Sequence, residues 1–112
     1  MKINIKPISV NEAWQGRRFK TEKYKGFQTE LLLKLPNIKK PFPDKLYVII
    51  KYGFSSKLSD IDNPCKMVLD CLSKKYGFDD RNIYKLDQEK EIVTKGKEYI
   101  KINIKQYEGS QV

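Results

Sequence analysis

The chain has 112 residues, 33% of them charged and 39% hydrophobic, with 23 Lys/Arg against 14 Asp/Glu and no histidine. That length allows one domain with one core and little stability to spare. Without an imidazole, Ser-His-Asp and Cys-His catalysis and histidine-ligated metals are excluded, and the net charge of +9 fits either a polyanionic partner, nucleic acid or an anionic membrane surface, or simply a soluble basic protein.

Residues 2–7 read as a short strand with Ile3 and Ile5 on one face. Residues 9–20 read as a polar loop carrying Trp14, Arg17, Arg18, Phe19 and Lys20. Either the two aromatics pack this loop onto the core and the cations are solvated, or the mixture forms a nucleic-acid surface. The first helix is expected over 21–35. Thr21 suits its N-cap, and Tyr24, Phe27, Leu31, Leu32 and Leu35 make its apolar stripe. Pro36 ends it, and the segment around Pro41 and Pro43 is a loop.

Residues 45–54 form the strongest strand signal. Leu46, Val48 and Ile50 face one way, and Tyr47, Ile49 and Tyr52 are also largely apolar, which predicts a central strand buried on both faces. The second helix is expected over 64–75, with Asn63 at the N-cap, Pro64 at the first helical position and Gly77 in the left-handed position past its end. Its apolar face is Met67, Val68, Cys71 and Leu72. Cys65 and Cys71, six apart on that helix, lie about 9 Å apart along the axis, too far for a disulfide. They are expected in the core or at its boundary.

Residues 82–93 read as a strand, or as a shorter one ending at Asp87, residues 94–97 as a turn, and 98–105 as a last strand with Ile100, Ile102 and Ile104 on one face. Residues 106–112 read as a frayed tail. The order β-α-β-α-β-β predicts an α+β fold: two helices packed on a four-stranded mixed or antiparallel sheet, a single domain over 1–112. The apolar run 31–35 is far too short to span a bilayer, and residues 1–6 alternate polar and apolar without a signal-peptide core. No membrane and a cytoplasmic location are therefore expected.

Charge is unevenly distributed. Residues 1–58 hold thirteen Lys/Arg against four Asp/Glu, and residues 81–112 hold seven against five. Residues 59–80 reverse the balance, with three against five. Like charges gathered this way repel unless compensated, and a hard cation is the usual compensator. Asp60 and Asp62, two apart in an extended segment, point the same way and can grip one ion. The helix that starts beside them carries partial positive charge and N–H groups suited to a phosphate, and Lys66 lies in its first turn. Gly77 can return Asp79 or Asp80 to the same place. Three carboxylates and a lysine with no imidazole describe a Mg²⁺-assisted phosphodiester-cleaving site. The bland reading is an acidic loop capping a helix. Asp70, one turn after Lys66, has a local ion pair as its simplest role. Asp79 either supports the site or caps the next element, and Tyr76 and Phe78 read as core residues.

The string Asp60-Ile61-Asp62-Asn63-Pro64-Cys65-Lys66-Met67-Val68-Leu69-Asp70-Cys71-Leu72, followed by Phe78-Asp79-Asp80-Arg81-Asn82-Ile83, resembles the RusA-type Holliday-junction resolvases, small endodeoxyribonucleases common in bacteriophages and prophages. Pro7-Ile8-Ser9-Val10-Asn11 and Thr94-Lys95-Gly96 extend the resemblance over nearly the whole chain. It implies a Mg²⁺-dependent homodimer, with Mn²⁺ as a substitute, acting in the bacterial cell. Its substrate would be branched double-stranded DNA, and paired symmetric nicks would resolve four-way junctions in recombination and repair. Position by position, the catalytic and metal-binding aspartates fall on Asp60, Asp62 and Asp80, and the essential lysine on Lys66. Asp70 and Asp79 match acidic family positions with a supporting role. Some members carry an arginine run before the first motif aspartate, where this chain has Ser55-Ser56-Lys57-Leu58-Ser59. The expected DNA contacts are therefore Arg17, Arg18 and Lys20, with Lys57 and Asn63 beside the motif. The alternative is a non-catalytic basic nucleic-acid-binding module.

Overall fold

The computed structural model describes residues 1–8, 14–15, 19–39, 41–59, 61 and 64–109. In chain order the elements are β1 (Lys2–Ile3), β2 (Trp14–Gln15), β3 (Phe19–Lys20), α1 (Glu22–Lys34), β4 (Leu46–Phe54), α2 (Cys65–Tyr76), a 3-10 turn (Asp80–Asn82), β5 (Ile83–Ile92) and β6 (Tyr99–Gln106). The main sheet runs β1-β6-β4-β5, and β2 and β3 pair separately as a small antiparallel ribbon inside the segment read as a loop. The two-helix, four-stranded mixed architecture is the one expected from the sequence. β6 lies antiparallel to both β1 and β4, and β4 lies parallel to β5.

Each helix forms where its pattern places it. The Thr21 hydroxyl accepts the Tyr24 N–H at 3.2 Å and so satisfies one of the orphan donors at the start of α1. Leu35 closes that helix in extended conformation, as the residue before Pro36 must. α2 ends on Gly77 at φ 78°, a left-handed position that glycine adopts without steric cost. Its start differs from expectation by one residue: the helix begins at Cys65, and Pro64 is the residue before it, fully buried.

Both helices lie on one side of the sheet. Tyr24, Phe27, Leu31 and Leu35 of the first helical segment and Met67, Val68, Cys71 and Leu72 of α2 meet Val48, Ile50 and Tyr52 of β4 and Ile100 and Ile102 of β6 in one core. The register puts Ile50 between Ile102 and Gln88, so the centre of the sheet and the centre of the core coincide. A Leu31→Ala substitution here is expected to cost about 2–5 kcal/mol, the usual price of truncating a buried leucine.

β4 is central, but it is not buried on both faces. Tyr52 belongs with Val48 and Ile50 on the helix side, whereas Tyr47, Ile49 and Lys51 on the other side are only half-buried. The flanking positions on that side, Lys85, Asp87 and Glu89 of β5 and Lys101, Asn103 and Lys105 of β6, are polar, so water can cover it. At the C-terminus, the last strand extends to Gln106, and the Tyr107 N–H donates to the Lys45 carbonyl at 2.9 Å, so the ordered chain reaches into the segment expected to fray. No described helix is long and apolar enough to cross a membrane.

Candidate functional site

The acidic motif leaves the C-terminal end of β4 through residues 55–59. Two contacts fasten the base of this loop. The Ser55 hydroxyl donates to Glu98 at 2.8 Å, and the Lys90 ammonium donates to the Ser59 carbonyl at 2.9 Å. Glu98 also accepts the Gly96 N–H, and hydrogen bonding by backbone N–H groups and by Ser55 holds its carboxyl below the usual carboxylate range. A tight turn follows, with the Ser59 N–H donating to the Ser56 carbonyl and the Leu58 N–H to the Ser56 hydroxyl. Lys57 is exposed on that turn.

Asp60, Asp62 and Asn63 lie outside the described residues, as do Arg17 and Arg18, and of Lys20 only the backbone is described. Between the two aspartates, Ile61 is half-buried and packs against the core. Beyond them, Pro64 is locked in the interior and offers no side-chain cap, so the first N–H groups of α2 point out of the helix end without a capping partner from that residue. The motif therefore enters a helix N-terminus whose dipole favours an anion.

Lys66, Asp70 and Ser73 fall on one face of α2, spaced by four and three residues, while Met67, Val68, Cys71 and Leu72 face the core. Lys66 is exposed. The expected ion pair between Lys66 and Asp70 is absent among the described residues. Asp70 instead accepts the Tyr24 hydroxyl at 3.5 Å, which ties α2 to α1. Burial pushes the Tyr24 phenol up to about 12, and the Asp70 charge adds to the shift. Asp70 thus acts as a tether between helices.

The Gly77 turn reverses the chain and leads into the 3-10 turn, where the two adjacent aspartates take different roles. Asp79 caps that turn: its carboxylate accepts the Arg81 N–H at 3.0 Å and meets the Arg81 guanidinium at 3.2 Å. Asp80 is exposed and turns back to α2, where the Ser73 hydroxyl donates to its Oδ1. Oδ1 is thereby oriented, and Oδ2 takes no hydrogen bond from the described residues. Tyr76 and Phe78, expected as core residues, are half-buried and pack with Phe42 at ring separations of 5.3 and 5.5 Å, the Tyr76 hydroxyl donating to the Pro36 carbonyl.

Two contributors escaped the sequence reading, Ser73 and Lys90. Ser73 lies two turns after Lys66 on the same helical face, a signal available from spacing. Lys90 reaches the motif only because parallel pairing sets β5 beside β4, and no local pattern reports that. Among the described residues no group of three or more potential metal-binding side chains occurs. The chain matches no family model, and no curated protein matches it either.

Proposed function

We propose that the chain is a metal-dependent, structure-selective endodeoxyribonuclease that resolves four-way DNA junctions as a homodimer in the bacterial cytoplasm, similar to the RusA-type resolvases. The reading rests above all on one observation. Asp80 returns through the Gly77 turn to the exposed face of α2, where Ser73 holds it two turns, about 10 Å, beyond Lys66, on the helix that starts directly after the Asp60/Asp62 motif.

The donor set fits a hard cation: carboxylate oxygens only, with no imidazole in the chain and the half-buried Cys65 and buried Cys71 turned to the core side. Asp60, Asp62 and Asp80 would hold Mg²⁺, with Mn²⁺ as substitute, and the ion supplies Lewis-acid polarisation of the phosphate and a lowered pKa for an attacking water. The protein's own groups do the rest. The outward N–H groups at the start of α2 and the exposed Lys57 orient a DNA phosphate. The Lys66 ammonium offsets negative charge that develops on the phosphoryl oxygens. With no histidine present, a motif carboxylate must take the proton from water. Arg17, Arg18, Lys20 and Asn63 extend the contact to the DNA backbone.

The competing reading, a basic nucleic-acid-binding module without catalysis, has one point in its favour, since Asp79 and Asp70 are both used structurally. A synthetic four-way junction separates the two. Wild type is expected to nick it in Mg²⁺ or Mn²⁺, and Asp62→Asn to abolish nicking while binding persists or tightens. A wild type that binds junctions but leaves them uncut in either ion establishes the module instead.

A further inference from the structure

β5 is the longest strand, at ten residues, and it lies at the edge of the sheet. Among the described residues no strand pairs with its outer side. Its ladder to β4 shifts once, at Tyr84, and is regular from Lys85 to Ile92, with neither proline nor glycine to interrupt it. An edge of this kind offers a row of unpaired N–H and C=O groups to a further strand. The helices cover β4 and β6 but leave β5 largely exposed on both faces. Three of the exposed large hydrophobic residues border it. Tyr84 and Ile92, 57% and 42% exposed, lie near its two ends, and Leu58, 91% exposed, sits in the loop whose Ser59 carbonyl binds Lys90.

We infer that β5 is the interface between two copies of this chain, paired edge to edge and antiparallel about a two-fold axis normal to the sheet at Gln88. The two four-stranded sheets then become one of eight strands. Symmetry limits the choice of register. Such an axis keeps every side chain on its own side of the sheet, so it must pass through a residue position and not between two. The bulge turns Tyr84 to the open face, where its ring lies 5.5 Å from that of Tyr107, so the regular part of the strand runs from Lys85 to Ile92. With Gln88 on the axis, residues 85–91 are paired: Lys85 faces Glu91 and Leu86 faces Lys90, each pair occurring twice. Moving the axis to Asp87 sets that carboxylate against its own copy and shortens the paired stretch to residues 85–89. Moving it to Glu89 sets Glu89 against its own copy, opposes Asp87 to Glu91 and leaves out Lys85. Of the like charges that remain opposed at the Gln88 register, Glu89 is offset within its own copy by the Lys51 ammonium at 3.4 Å, and Asp87 accepts the Tyr47 hydroxyl. This assignment deepens the proposed junction-resolving reading, on which its meaning for DNA rests. A two-fold pair of sites matches the symmetry of a four-way junction.

Sedimentation velocity without DNA or metal tests the assembly separately from cleavage. The wild-type chain is expected to sediment at twice its 13.2 kDa mass. Lys85→Glu and Glu91→Lys should each weaken the dimer by about tenfold or more, and the double swap should restore it, with circular dichroism confirming that all four chains fold. The double swap matters because Glu91 also meets Lys51 within its own chain at 3.5 Å, a contact that neither single substitution isolates. A monomeric wild type, a dimer indifferent to Lys85→Glu, or a double variant as dissociated as the singles overturns the interface.

Discussion

Ser73 decides where the Asp80 carboxylate sits. The aspartate follows a glycine turn and a single 3-10 turn, and without the hydroxyl its exposed side chain would sample several rotamers. Removing the anchor should therefore cost rate more than stability. Ser73→Ala is expected to slow junction nicking by about 10–100-fold, as loss of a ligand's outer partner typically does, while changing stability by about 1 kcal/mol or less. Asp80→Asn should be more severe, and Lys66→Gln should cost about 10²–10³ in rate with junction affinity nearly unchanged. Single-turnover cleavage with thermal melts on the same variants checks all three. A Ser73→Ala enzyme as fast as wild type would reduce the Ser73 contact to packing. The sequence already offers Asp79 as a cap for the next element and sets Asp80 apart from it, but it does not show the means by which the two adjacent carboxylates part. Their divergence arises from the 3-10 turn, which gives one carboxylate to the Arg81 N–H and swings the other towards α2.

At the scale of the element, the helices were readable because each carries its own punctuation. Thr21, Leu35-Pro36 and Gly77 mark ends that the backbone honours, and the apolar stripe of α2 is buried residue for residue. Strand neighbours were not readable, because alternation reports which face a residue takes and not which strand lies beside it. The crossover that sets β6 and β5 on opposite sides of β4 also packs Tyr99 over Gly53, where an added Cβ would run into the ring. Gly53→Ala is accordingly expected to destabilise the fold by about 1–3 kcal/mol in chemical denaturation. Loss of less than a few tenths would show that the Tyr99 ring can step aside. The Glu98 cap on the motif loop makes a pH prediction. Its native carboxyl titrates below its ordinary value of 4.5, so the stability it adds is present above that pH and is lost as pH falls through the lowered native value. Glu98→Gln should remove this acid-side loss, which parallel melts of the two proteins across the range would show.

For the whole molecule, charge and symmetry carry the account. On the proposed reading, a chain of net charge +9 should bind DNA through phosphates and release counterions on binding. The logarithm of affinity for a four-way junction is expected to fall linearly with the logarithm of salt. Replacing Arg17 and Arg18 together with alanine should reduce the slope by roughly 2, and an unchanged slope would remove the N-terminal segment from the DNA face. The fold class was legible from element order, whereas the open sheet face and the β5 edge, unpaired among the described residues, emerge only from the tertiary arrangement. Manganese titration followed by electron paramagnetic resonance, without DNA, tests the central claim most directly, that Asp60, Asp62 and Asp80 hold one hard cation together. Asp60→Asn, Asp62→Asn and Asp80→Asn should each weaken Mn²⁺ binding by about tenfold or more relative to wild type. An Asp80→Asn chain that binds Mn²⁺ as tightly as wild type would contradict it.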